Sequence, residues 1–171
     1  MDKEIKEIII RYFVVLVLLL FAMPIIYLLM TPLTVYPSYI VLKAVYGAKL
    51  VSESTIFFRG YFAKIIPACV AGSAYFLLIA LNLLTPMGIK TRFRFLSFTL
   101  LSFLIINVAR IILFAYLAVN GFQYFDIAHE VTWYLGSTFL TAGIWLFGDY
   151  FFKIKEIPVY SDARRLIDNV R

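Results

Sequence analysis

Four long apolar runs divide the chain, at residues 8–30, 65–84, 95–119 and 128–152, and polar or mixed connections separate them. Each run is close to the roughly 20 apolar residues that cross a bilayer, so the pattern predicts four transmembrane helices. The first run follows the mixed-charge start "MDKEIKE", is too long for a signal-peptide core and has no small-residue cleavage site after it. It therefore reads as a retained helix.

Only one connection is long. The stretch "TPLTVYPSYIVLKAVYGAKLVSESTIFFRGYFAK" is semi-polar and carries Pro32, Pro37 and Gly47. Its first part predicts an interfacial helix near residues 38–46, with Tyr36, Tyr39 and Tyr46 suited to the headgroup level. Its second part has two short β-prone stretches around Arg59 and Gly60, which predict a small hairpin. The expected fold class is an all-α integral membrane protein, one domain over residues 1–171, ending in a solvated or interfacial cytoplasmic tail at 153–171.

Composition strengthens this picture and narrows the chemistry. Of 171 residues, 63% are hydrophobic and 18% aromatic, and the mean hydropathy of +0.92 lies far outside the globular range. One cysteine excludes an intramolecular disulfide framework and any Cys-rich zinc or iron-sulfur site. One histidine excludes a multi-histidine metal centre, and no metal or cofactor is expected. A net charge of +6 would suit nucleic acid, but the basic residues collect beside the apolar runs, which reads as topology and argues against a nucleic-acid partner.

Lys3, Lys6 and Arg11 stand before or at the start of the first run, and Lys90, Arg92 and Arg94 fill the second connection. Lys153, Lys155, Arg164, Arg165 and Arg171 sit in the tail, whereas the third connection, "NGFQYFDI", has no basic residue. The expected arrangement has both termini in the cytoplasm and the long loop and the Gly121 turn outside, although Lys43, Lys49, Arg59 and Lys64 lie in that loop.

On this topology three residues of different chemistry fall in the outer half of one bundle. Cys69 lies about 6 Å along the second helix, Arg110 about 14 Å from the outer end of the third, and His129 near the outer start of the fourth. Alone, Cys69 reads as a small apolar filler or a palmitoylation site, and His129 as an interfacial polar residue. Arg110 in "LIINVARIILF" is different, because an arginine inside a span is costly unless paired or hydrated. Its bland reading is snorkelling to the interface.

Together the three make a usable set. A histidine or a cation beside a thiol favours the thiolate, and the same histidine can return a proton to a leaving amine. A guanidinium stays charged and can stabilise that thiolate or an oxyanion formed on attack. This chemistry suits acyl transfer at a peptide bond, and the chain has no nucleophile elbow, H-E-x-x-H, P-loop or G-x-G-x-x-G. Ala68, Ala71, Gly72 and Ala74 around Cys69 allow close helix approach, for bundle packing or for a substrate helix. Pro67 suits a first helical turn, which would set Cys69 near a helix N-terminus. Asp126 and Glu130 either orient His129 or are plain outer-face carboxylates, while Asn107 shares the Arg110 face, to hold the guanidinium or to contact substrate.

The order of Cys69 in "IIPACVAG", Asn107 and Arg110 in "NVARI", and His129 in "IAHEVTWY" resembles the exosortase and archaeosortase family, over about residues 33–152. The shortness of the chain is similar to the small archaeal forms. The resemblance implies a membrane-embedded cysteine transpeptidase with Cys69 as nucleophile, His129 as general acid and base, and Arg110 as thiolate or oxyanion stabiliser. Asn107, Gly72 and Glu130 would support them. It implies as partners secreted proteins whose C-terminal sorting signal is a short motif, a transmembrane helix and a basic cluster, with a lipid or other amine as acceptor. The chain departs from the family in having Val70 and Ala71 where Ser or Thr and then Gly often follow the cysteine. A different class of reading is a non-enzymatic membrane subunit that binds an anionic ligand or lipid through Arg110. A haem protein using His129 has no second ligand to support it.

Overall fold

A computed structural model describes residues 3–154, 158 and 160–170. The chain is mostly helical with one small sheet. In order it forms α1 (Lys3–Tyr46), β1 (Lys49–Ser52), β2 (Thr55–Phe58), β3 (Tyr61–Lys64), α2 (Pro67–Val70), α3 (Gly72–Leu84), α4 (Ile89–Val119) and α5 (Phe125–Val131). A π-helical turn (Thr132–Gly136), α6 (Ser137–Phe152) and α7 (Tyr160–Val170) complete it.

Three helical stretches are long and apolar enough to cross a membrane: α1, the α2 to α3 stretch Pro67–Leu84, and α4. The apolar window of α1 is only 6% buried, with Phe13, Leu20 and Leu28 facing outward. A helix this apolar and this uncovered is stable only in an apolar solvent. The fourth apolar run is helical from Phe125 onward, but it is divided into α5, the π turn and the 16 residues of α6.

The long connection departs from expectation. The helix foreseen at residues 8–30 and the interfacial helix foreseen near 38–46 are one helix of 44 residues that runs through Pro24, Pro32 and Pro37. A proline removes a single backbone donor, and packing can hold the helix across it. Here Thr34, Val35 and Ser38 are fully buried, and Ser38 Oγ donates to the Thr34 carbonyl oxygen (2.7 Å), beside the turn that Pro37 disturbs. α1 ends at Gly47, whose φ of 65° is left-handed. There Gly47 N–H bonds the Lys43 oxygen and Ala48 N–H the Leu42 oxygen, a glycine-closed helix end of the Schellman type.

The hairpin forms, and it carries a strand more than expected. The sheet order is β1-β2-β3, antiparallel throughout. Arg59 and Gly60 both have positive φ (48° and 88°), the geometry of a two-residue type I′ turn whose twist matches the strands. Ile56 and Phe58 of β2 are buried against Val35 and Leu42 of α1 and Val70 of α2. This packing is why the second half of α1 stays helical: it is the floor of the sheet.

The central helix is α3. Tyr75 and Leu78 are fully buried with Phe95, Phe103, Ile144 and Trp145 from α4 and α6, and Tyr75 meets Phe103 edge to face at 4.9 Å. Gly72 lies under α1, where a Cβ would come within 2.7 Å of the Tyr27 ring.

At the end of the bundle opposite the sheet, arginines close α3. Arg92 donates to the Asn82 and Thr85 oxygens, and Arg11 donates to the Leu84 oxygen at 2.9 Å. Cations at a helix C-terminus satisfy its orphan carbonyls and oppose its dipole. Because Arg92 works this way, the basic connection is already helical and α4 starts at Ile89 rather than 95. The tail is not simply solvated. Arg11 also pairs with Asp162 of α7 at 2.7 Å, and Asp162 is buried. Lys155 and Arg171 of the foreseen basic tail lie outside the described residues.

Candidate active site

The segment holding Cys69 starts as one helical turn. Pro67 stands at its first position, where no N–H is needed. After Val70 the chain turns through Ala71, held at φ 58°, ψ 48°, and only then resumes as α3. The foreseen continuous helix 65–84 is thus two helices with a left-handed break. α2 has four residues, so any dipole at Cys69 is that of a single turn.

A broken helix leaves carbonyls without helical partners. Asn107, 1% exposed, donates from Nδ2 to the Cys69 oxygen at 2.9 Å and is 3.4 Å from the Val70 oxygen. Arg110 Nη2 donates to the same Cys69 oxygen at 3.4 Å. Asn107 therefore grips the backbone of the cysteine segment, and among the described residues no hydrogen bond joins it to the Arg110 guanidinium.

The other arm of Arg110 donates from Nη1 to Ser137 Oγ at 3.0 Å. The guanidinium so bridges α4, α2 and the first residue of α6 rather than snorkelling. Among the described residues the sole ion pair is Arg11 with Asp162, so no carboxylate neutralises Arg110. An uncompensated cation among apolar side chains favours an anion beside it.

Cys69, Arg110 and His129 all line a cavity of about 590 Å³. All three also line a neighbouring cavity of about 270 Å³. Together they stand at the partition between the two, which is the juxtaposition the topology implied. The His129 ring lies edge-on to Phe114 at 5.0 Å and stacks on Phe125 at 5.9 Å. Aromatic rings orient it, and among the described residues no hydrogen bond joins it to Asp126 or Glu130. Asp126 lines the larger cavity and Glu130 the smaller one. Gly72 lines neither; its contribution is the close approach of α1. The described residues contain no group of three or more His, Cys, Asp or Glu side chains able to hold a metal.

Ser137 escaped the sequence reading because nothing local marks it. Its signal was only depth: a hydroxyl on one helix level with a buried cation on the next. The π turn between His129 and Ser137 widens the helix at this place, a feature frequent at functional sites. The roof of the larger cavity was also missed. It comes from β3 and the following residues, with Tyr61, Phe62 and Lys64 on its wall.

No protein-family model, curated protein or solved structure matches this chain.

Proposed function

We propose that the protein is a membrane-embedded cysteine transpeptidase of the exosortase and archaeosortase kind, cleaving C-terminal sorting signals of secreted proteins. The observation that carries the reading is that Cys69, Arg110 and His129, from α2, α4 and α5, line one cavity. A thiol, a guanidinium and an imidazole form a set that acyl transfer can use as nucleophile, charge stabiliser and proton carrier.

In this reading Cys69 gives its proton to His129, and the thiolate attacks the scissile carbonyl carbon while Arg110 steadies the negative charge. The C–N bond breaks, the leaving amine takes its proton from the His129 imidazolium, and an acyl thioester remains on Cys69. An acceptor amine, on a lipid or another molecule, then attacks the thioester. Its proton passes to His129 and the C–S bond breaks to restore the thiolate. The protein works in the cell membrane with both termini cytoplasmic and the cavity at the outer side. α1, the α2 to α3 stretch, α4 and the α5 to α6 stretch make four crossings.

The test is processing of a co-expressed secreted protein bearing a tripartite C-terminal signal. Cys69→Ala is expected to abolish its cleavage while the variant still folds; unchanged cleavage would end the enzyme reading. That Arg110 forms no ion pair among the described residues also favours a second reading, an anion-binding membrane subunit. In that case Arg110→Gln loses ligand and Cys69→Ala changes nothing.

A further inference from the structure

The sheet order β1-β2-β3 leaves β3 as an edge strand. Its pairing with β2 runs Phe58 with Tyr61, Phe57 with Phe62, Ile56 with Ala63 and Thr55 with Lys64. In a hairpin with a two-residue turn, the residues flanking the turn form a hydrogen-bonded pair and the pairs alternate from there. Tyr61 and Ala63 therefore bond inward to β2. Ile65 continues the alternation, its N–H reaching the Ser54 oxygen at 2.7 Å. The N–H and C=O groups of Phe62 and Lys64 are left directed away from the sheet.

The larger cavity lies against that free edge. Residues 61–66 line it without a gap, followed by Cys69, and no residue of β1 does. Side chains alternate between the faces of a strand, so a cavity over one face would touch every second residue. Contact with consecutive residues means that the cavity follows the backbone edge. The opposite edge is blunted, since the register of β1 shifts between Leu50 and Ser52, a common guard against strand pairing. The β3 edge has no such irregularity.

We infer that the substrate polypeptide adds to β3 as a fourth strand, an extended segment whose backbone pairs with Phe62 and Lys64 and presents the scissile bond to Cys69. The inference rests on the transpeptidase reading and gives it a substrate form: an unfolded stretch just ahead of the substrate's own transmembrane helix, bound through its main chain. Main-chain pairing supplies affinity at alternate amides with little demand on sequence, and the aromatic wall of Tyr61, Phe62 and Phe114 selects side chains.

The experiment uses the full chain in detergent and an acetyl-capped tetrapeptide vinyl sulfone with apolar side chains, which alkylates Cys69. A series of probes carries one N-methylated amide each. Labelling is expected to slow about fivefold or more at alternate amides and to stay unchanged at those between, because each lost bond removes one main-chain contact. Lys64→Pro, which deletes an outward N–H, lowers the ratio of tetrapeptide to iodoacetamide labelling about as much; Val51→Pro on the far edge leaves that ratio at the parent value. Equal labelling by all N-methylated probes, or labelling by iodoacetamide with none by any tetrapeptide, overturns the inference. Both outcomes are independent of whether Cys69→Ala stops processing, so failure of strand addition and failure of the enzyme reading are told apart.

Discussion

Asn107→Ala tests whether the cysteine segment is held as described. The side chain removed is 1% exposed, and its carboxamide serves the Cys69 oxygen at 2.9 Å and the Val70 oxygen at 3.4 Å. Afterwards the Cys69 oxygen keeps Arg110 at 3.4 Å, while the Val70 oxygen loses its side-chain donor. A buried polar group stripped of its partner costs about 1–3 kcal/mol, so the expected loss is about 2 kcal/mol. For a chain of 171 residues that is a fall of about 4–8 °C in the unfolding midpoint. Asn107→Asp keeps the volume but turns acceptors toward two carbonyl oxygens, and should lose at least as much. The assay is thermal unfolding followed by tryptophan fluorescence in detergent, with the rate of Cys69 alkylation by iodoacetamide as a local readout. An Asn107→Ala midpoint within about 1 °C of the parent, with unchanged alkylation, would refute the clamp.

Arg110→Lys should lower processing at least tenfold, since one ammonium cannot span Ser137 Oγ and the Cys69 oxygen, whereas Ser137→Ala, which removes one bond, should cost about fivefold; both are read as initial cleavage rates. Gly148→Ala forces a Cβ to 2.8 Å from the ring of the fully buried Phe95 and should destabilise by about 1–3 kcal/mol in detergent unfolding. Gly143→Ala, with nothing within 4 Å of its Cβ, should be neutral or gain up to about 1 kcal/mol of helix propensity. Asp162→Ala strands the partly buried charge of Arg11 and should cost about 3 kcal/mol, most of it recovered in the double variant Arg11→Met with Asp162→Leu; a parent-like midpoint for Asp162→Ala would show that the tail contact carries no stability.

Much of the architecture was legible because it follows from solvent preference. Long apolar runs favour helices in a bilayer, and Gly60 between two β-prone stretches accepts the positive φ that a tight turn needs. The prolines misled because a local breaker has its local effect only when tertiary packing leaves the chain free. Pro32 and Pro37 lie beside Thr34, Val35 and Ser38, all fully buried, Val35 in one cluster with Ile56 and Phe58 of the sheet, and burial kept the backbone helical. The Cys69 segment misled in the opposite sense. Nothing in "PACVAG" announces a left-handed alanine, and the break is held by Asn107 and Arg110, donors far away in the chain.

The sequence by itself determined that the chain is an apolar helical protein and singled out the three residues that meet at the cavity, because hydropathy and residue type are local properties. Only the tertiary structure decided how those residues are held. It joined α1 into one helix under a sheet, cut the cysteine helix in two, linked Arg110 to Ser137 and set the open edge of β3 beside the thiol. The break at Cys69 and the Arg110–Ser137 link depend on pairing a polar group with a partner on another element, and the position of α1 on apolar packing against the sheet. Such partners are chosen by geometry in space, which the order of residues along the chain does not state.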